Sequence, residues 1–299
     1  MTRRDATVGE EIGQAPTTAY LSTGAAMWRR FRRNRLALAG LLVVALLACA
    51  AIFAPALAPA DPARQSLEDK RMPPGPKYLL GADEFGRDIA SRLIYGSRIA
   101  LMVGLVSVLI ALVLGTTLGT VAGYAGGAVD EVLMRALDVL LAFPYLLLAI
   151  AIVSAMGPGL PNTILAVGIW ATPGFARVIR GSVLAIKEQE YVQAARAVGA
   201  GTGRIVVRHV LPNCISILIV YSALYMASAI LLEAALSFLG LGVQPPTPSW
   251  GLMVSTGRDF ITIAPHIATL PGLAIALTVL GFNLLGDGLR DALDPKMKL

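Results

Sequence analysis

Few residues of this chain could do chemistry, and their spacing does not bring them together. The 299 residues include two histidines, His209 and His266, and neither stands in a His-Glu-x-x-His or similar metal-binding pattern. No Gly-Lys dipeptide occurs, which removes a P-loop for ATP, and there is no Gly-x-Ser-x-Gly elbow. One ionisable residue, Glu233, falls inside a long apolar run. A carboxyl at that depth calls for a functional role or a hydrogen bond to a neighbouring helix. Transporters driven by protons or sodium usually carry several such groups. A catalytic centre, a resident cofactor and a metal site are therefore not expected in this chain.

The remaining polar chemistry is gathered in one island, Glu190 to Pro212, between two apolar spans. It reads as a small docking element. Ala195 and Gly199 are four residues apart, which would stack them on one helical face. Both are nearly without side chain, so another protein could approach that backbone closely. Gly201-Thr-Gly203 reads as a turn, and a second short helix follows that should give way at Pro212. Arg196, Arg204 and Arg208 place the island on the cytoplasmic side.

The elements that must position this island are membrane spans. The chain is 56% hydrophobic and 15% charged, which excludes disorder and does not suit a soluble domain. Six stretches have spanning length: 36–57, 98–122, 137–156, 161–180, 214–240 and 267–286. Of the 25 Lys and Arg, 17 fall on the side of the N-terminus, whereas eight fall on the other, seven of them in and closing the 58–97 loop. The positive-inside rule then puts both termini in the cytoplasm. The net charge of +6 sits at the ends of apolar runs, where it orients helices and meets anionic lipid rather than nucleic acid.

Within the spans, Gly115, Gly119, Gly123 and Gly127 recur every four residues, a flat stripe for close helix contact. Pro144 lies inside the third span and should kink it, as in helices that line a path. Cys49 and Cys214 read as packing residues too far apart for a disulfide. The Arg-rich lead before residue 36 resembles a signal peptide, but the apolar run is too long for a cleaved one, and a retained first helix is expected.

The island also carries a family resemblance. Gln193-Ala-Ala195, three residues, Gly199, nine residues, His209, and Leu211-Pro212 resemble the "EAA" loop of bacterial ABC-importer permeases. That pattern reads Glu-Ala-Ala-x3-Gly-x9-Ile-x-Leu-Pro. Gln193 stands for its Glu and His209 for its Ile, and the His-x-Leu-Pro-Asn form is similar to the peptide-transporter branch. Leu80–Asp88, Ser91–Arg98, Gly123-Tyr124, Asp130-Glu131, Met134-Arg135, Asp138, Phe143-Pro144, Leu236–Gly242, Pro245–Gly251 and Asn283–Asp294 resemble dipeptide and oligopeptide permease C-type subunits. The first 25 residues match no pattern and read as a flexible tail.

The resemblance implies an all-α polytopic membrane protein of the type I ABC-importer permease fold, with six spans and both termini cytoplasmic. It implies a basic tail over 1–35, a first helix over 36–57, and an extracytoplasmic loop over 58–97. A five-helix permease domain would cover 98–290, with a coupling loop over 181–213 and a tail over 291–299. The chain would import di- or oligopeptides across a bacterial inner membrane. Its partners would be a homologous B-type permease, two ATPases that bind the ATP and magnesium, an extracytoplasmic binding protein and membrane lipid. Coupling to an ATPase would run through Gln193, Ala194, Ala195, Arg196, Gly199, Ala200, Leu211 and Pro212. Asp83, Arg87, Asp88, Pro245 and Trp250 would face the binding protein, and Pro144 and Glu233 the translocation path. The same architecture could import nickel, haem or another small solute. A stand-alone secondary transporter or channel would need more buried ionisable groups and usually an inverted repeat. A membrane enzyme would need a clustered acid/base or metal constellation.

Overall fold

The computed structural model describes residues 23–293, and the flexible-tail expectation for the first 25 residues lies almost wholly outside them. Among the described residues the chain is helical, and the one extended pairing is a bridge between Ala82 and Asp88. Helix α1 (Thr23–Arg33) leads into α2 (Arg35–Ile52), capped where the Asn34 side chain accepts a hydrogen bond from the Ala37 N–H at 3.1 Å. The first apolar run is thus not one helix. It breaks at Phe53, and a short α3 (Ala54–Leu57) starts on Pro55.

Helix α4 (Ile89–Ala125) begins nine residues earlier than its apolar run predicts. Asp88 caps it, accepting from the Ser91 N–H at 2.8 Å, and the first turns carry Arg92 and Arg98. The charge hid a helix whose first turns are packed against the loop that precedes it. The expected third span is broken outright. Helices α5 (Gly127–Leu141) and α6 (Tyr145–Met156) meet at 90°, with Pro144 as the residue before α6. Pro144 does not kink a continuous helix; it starts a new one, where its missing N–H costs nothing.

Helix α7 (Leu160–Lys187) returns along α4, and these two make the most extensive helix pair of the fold. The glycine stripe serves that seam. A Cβ at Gly115 would meet Phe175 and Thr172, one at Gly119 the backbone of Ala176, and one at Gly123 Arg180 and Val183. Ser107 adds an interhelical bond to the Ile164 carbonyl at 2.9 Å. Gly127 departs from the stripe: α4 ends at Ala125, and Gly127 starts α5 with φ +54° and open space around it.

Two short helices follow, α8 (Glu190–Ala197) and α9 (Thr202–Ile205), then α10 (Leu211–Phe238), α11 (Trp250–Gly257) and α12 (His266–Leu293). Pro212 does not end the helix before it. Residues Val206–Val210 form a π turn in which the Leu211 N–H bonds to the Val206 carbonyl, so Thr202 to Phe238 runs on as one span. The widened register tolerates a residue without an N–H at 212.

Among the described residues, four helices are long and apolar enough to cross a membrane: α2, α4, the 202–238 run and α12. The bent pair α5–α6 makes a fifth if it counts as one span. The remaining expected span, 161–180 in α7, is diluted by Asn162, Pro173, Arg177 and Arg180. A helix walled by α4, α6 and α10 meets less lipid and needs less apolar surface. Cys214 is buried as expected, but Cys49 lies on the exposed side of α2 and is not a packing residue within this chain.

Candidate functional site

The polar island folds into a compact element at the end of α7 remote from Gly159, whose N–H bonds to Leu241 at the opposite end. Its shape comes from a private core. Val192, Ile205, Val210 and Cys214 are buried with Ile179 and Val183 of α7, and Ala195 and Ala200 pack against them. Ala195 is therefore half-buried and helps to seat the element, while Gln193, Ala194, Arg196, Gly199 and Pro212 are exposed. Ala200 and Leu211 are half-buried.

Gly199 has a different role from the one its spacing suggests. It does not stack over Ala195 on a helix face, because α8 has already ended. The Ala200 N–H bonds to the Ala195 carbonyl and the Gly199 N–H to the Arg196 carbonyl, both at 3.0 Å. That is a Schellman motif, and it needs a left-handed residue at 199, where φ is +84°. No atom stands within 4 Å of a Cβ built there, so backbone conformation within this chain is what demands glycine.

Gln193 donates its amide N–H to the Glu188 carbonyl at 3.1 Å, tying α8 back to the end of α7. A glutamate could not make that bond when ionised. Around this frame the element presents apolar side chains to the outside: Val198 is 84% exposed, Val207 66% and Tyr191 45%. Arg196, Arg204 and Arg208 of the same element are exposed as well. Exposed apolar side chains together with exposed charge on a rigid element have the composition of a protein-contact surface. Those three apolar residues were not singled out by spacing; the signal was their position among charges in an element too short to bury them.

At the opposite end, residues 58–88 and 239–265 form a cap. Here the residues expected to face a partner are turned inward. Asp83 is 3% exposed, Arg87 6% and Asp88 5%. The Asp83 carboxylate accepts from Arg87 Nε at 2.6 Å and from the Arg87 and Phe85 N–H groups, and it lies 3.3 Å from Arg92 Nε. Asp88 is spent on capping α4 and accepting from the Ser91 hydroxyl. Trp250 is 4% exposed, donates its indole N–H to the Leu93 carbonyl at 3.0 Å, and fills the space left by Gly96. These four side chains build the cap rather than present a surface; of that set Pro245 alone is exposed.

A second polar cluster in the cap holds Asp69, bound by Lys77 at 2.6 Å, by the Ser66 hydroxyl at 2.6 Å and by the Tyr78 hydroxyl at 3.0 Å. The Lys77 bond, then the Ser66 bond, hold the Asp69 carboxyl below the usual carboxylate range, and the Asp69 bond pushes the Lys77 ammonium above its own. Glu84 moves the other way: burial, then neighbouring Asp83, raises it.

Glu233 is buried at the cap end of α10. It accepts from the Ser237 hydroxyl at 2.7 Å within its own helix, and Ser237 in turn receives the Val243 N–H at 3.3 Å. The carboxyl thus ties the helix end to the loop after it rather than to a neighbouring helix. Pro144 is exposed at the α5–α6 break. Spacing also gave no sign of an aromatic ladder joining α6, α7 and α10. In it Tyr145 packs on Trp170, Trp170 on Tyr225, and Phe175 on Tyr221 and Tyr225, with centroids 5.1–5.7 Å apart. No group of three His, Cys, Asp or Glu suited to a metal ion occurs among the described residues.

Comparison with known proteins adds the context. Residues 115–299 match the family described as binding-protein-dependent transport system inner membrane component, and residues 22–74 match the N-terminal transmembrane domain of oligopeptide transport permease C. The di/tripeptide transport system permease protein DppC of Pseudomonas aeruginosa is 48% identical over 289 residues, 95% of each chain. The glutathione transport system permease protein GsiD of Escherichia coli is 48% identical over 273 residues, 91% of this chain and 90% of that one. Among solved structures, the inward-facing MetNI methionine ABC transporter aligns with a TM-score of 0.56 at 18% identity, covering 67% of this chain and 95% of that one. That likeness carries the fold.

Proposed function

This chain belongs to the family of binding-protein-dependent transport system inner membrane components, and from that premise we propose that it imports short peptides as one permease subunit of an ATP-driven transporter. The observation that carries the substrate class is near-half identity over 95% of the chain to a di/tripeptide permease. A homologous B-type permease would complete the path. Two ATPases would bind ATP and magnesium, and this chain would contribute no catalytic group or cofactor of its own. An extracytoplasmic protein would deliver substrate to the cap, whose exposed part near Pro245 is the side open to it. Both termini and residues 188–212 would lie in the cytoplasm of a bacterial inner-membrane complex.

The element at 190–212 would seat in a groove on one ATPase, with Val198, Val207 and Tyr191 as its apolar contacts and Arg196 at the rim. Its private core and its Schellman turn support this reading, because a lever must not deform when pushed. ATP shifts the permease by binding the closed ATPase pair better than the open one.

Proteoliposomes holding the full complex, loaded outside with binding protein and labelled dipeptide, test the reading. Uptake that needs ATP is expected, and uptake indifferent to ATP would overturn it. Gly199→Glu should abolish uptake while the complex still inserts; normal uptake by that variant would remove the coupling role. A second reading has equal support in identity, since the glutathione permease relative is also 48% identical. Competition of labelled dipeptide uptake by unlabelled glutathione separates the two.

A further inference from the structure

Helix α5 is poorly anchored by apolar packing. Of its 15 residues only Leu137 is buried. Its two ends are joints: Gly126 and Gly127 hold left-handed φ of +69° and +54° with no atom within 4 Å of a built Cβ, and the 90° break to α6 lies at the other end. Two ion pairs fix this strut to α7. Arg180 grips Asp130 with two parallel bonds of 2.5 and 2.6 Å, and Arg177 reaches Asp138 at 2.5 Å. The bidentate form sets orientation as well as distance.

The turns of α7 that carry Arg177 and Arg180 also carry Ile179 and Val183, which are buried in the private core of the 190–212 element. Lys187, at the end of the same helix, donates to the Gly123 carbonyl at 3.0 Å, where α4 approaches α5. One stretch of α7 therefore holds the coupling element by its apolar side chains and the jointed strut by its cationic ones.

We propose that the pairs Asp130–Arg180 and Asp138–Arg177 are positioning residues that make α5 travel with the coupling element, so that its displacement sets the angle at the α5–α6 break. The proposal rests on the transport reading above for what the displacement achieves, but not for the tie itself. The Asp138–Arg177 pair is exposed and the Asp130–Arg180 pair only part-buried, so each charge left behind still reaches water, and breaking the pairs leaves the fold in place.

Arg180→Glu in the full complex should lower ATP-dependent uptake roughly tenfold while ATP hydrolysis persists. The exchange Asp130→Arg with Arg180→Asp should recover most of that loss. Uptake by Arg180→Glu within about twofold of the parent, or an exchange no better than the single variant, would overturn the tie. A readout independent of substrate keeps the two readings apart. Spin labels at Val132 of α5 and Glu188 beside the coupling element, with Cys49→Ser, report their separation in the complex with and without ATP. One narrow distance in both states is expected for the parent, and a broadened one for Arg180→Glu. Narrow distances in both proteins would sink the tie even if peptide uptake were intact. Absent uptake with the expected broadening would instead sink the substrate reading alone.

Discussion

The cap and the polar element at 190–212 use the same residue types to opposite ends. At the cap, Asp83, Arg87, Asp88 and Arg92 are buried; Asp83 bonds Arg87 and backbone and lies 3.3 Å from Arg92, while Asp88 accepts from Ser91. In the element at 190–212, Arg196, Arg204 and Arg208 stand exposed, and the small core beneath is purely apolar. The difference follows from what each region must resist. A loop of some thirty residues with few large apolar side chains has little hydrophobic area to hold it, and a buried network of ion pairs and backbone bonds around Asp83 fixes its shape instead. The element at 190–212 takes the Ile179 and Val183 side chains of α7 into its core and keeps its arginines at the surface. Charged residues in a recognisable motif are therefore not all at the surface, and the fold decides which are.

The largest blow to this contrast should come from Asp83→Ala. Arg92 would lose its carboxylate while buried and Arg87 would keep only Glu84, at a cost of about 3–5 kcal/mol. Detergent-solubilised protein should unfold at lower temperature and be cut by protease within 58–88; an unchanged melting curve would mean the network is dispensable. Ile205→Ala comes next, at about 2–4 kcal/mol, because a fully buried side chain leaves a cavity in a core of few residues. Its damage should be confined to protease sites between 188 and 212, and cutting in the cap would show that the two regions are not independent.

Gly199→Ala is smaller, about 1–2 kcal/mol, since the new methyl meets no atom and the left-handed backbone alone is strained. If alanine proved as stable as glycine by thermal unfolding, the Schellman turn would not be what fixes residue 199. The mildest test is pH. Asp69 is held below the usual range, so its stabilisation is complete above that range and is lost as pH falls through the lowered value. Glu84 has the opposite sign, favouring the folded cap when protonated and losing that advantage as pH rises through its raised value. Proteolysis of the cap should thus increase in acid, and Asp69→Asn should remove that acid limb; an identical pH profile in both proteins would assign it elsewhere.

Much of the frame was legible without coordinates. The apolar runs gave α2, α4, α10 and α12, because a helix facing lipid must be apolar along its length. The four-residue glycine spacing identified a close seam, and three of its four members lie in it. What was hidden had contrary local signals. Arg92 and Arg98 concealed the first turns of α4, since the buried Arg92 looks the same in sequence as the exposed Arg98. Pro144 and Pro212 both read as interruptions, yet one starts a helix and the other sits in a continuous span behind a π turn. A proline removes one donor, and whether that matters depends on the register of the turn before it.

By itself the sequence determined that this chain folds as apolar helices and carries one shaped polar element between 190 and 212. Both follow from composition and spacing over a few turns, within reach of local periodicity. Only the tertiary structure decided that Asp83, Arg87 and Trp250 face inward, that Gly199 ends a helix rather than lining one, and that Arg177 and Arg180 find Asp138 and Asp130 across 39 and 50 residues. Choosing one carboxylate among several for a given arginine requires knowing which helices pack side by side, and that choice is made by the fold as a whole.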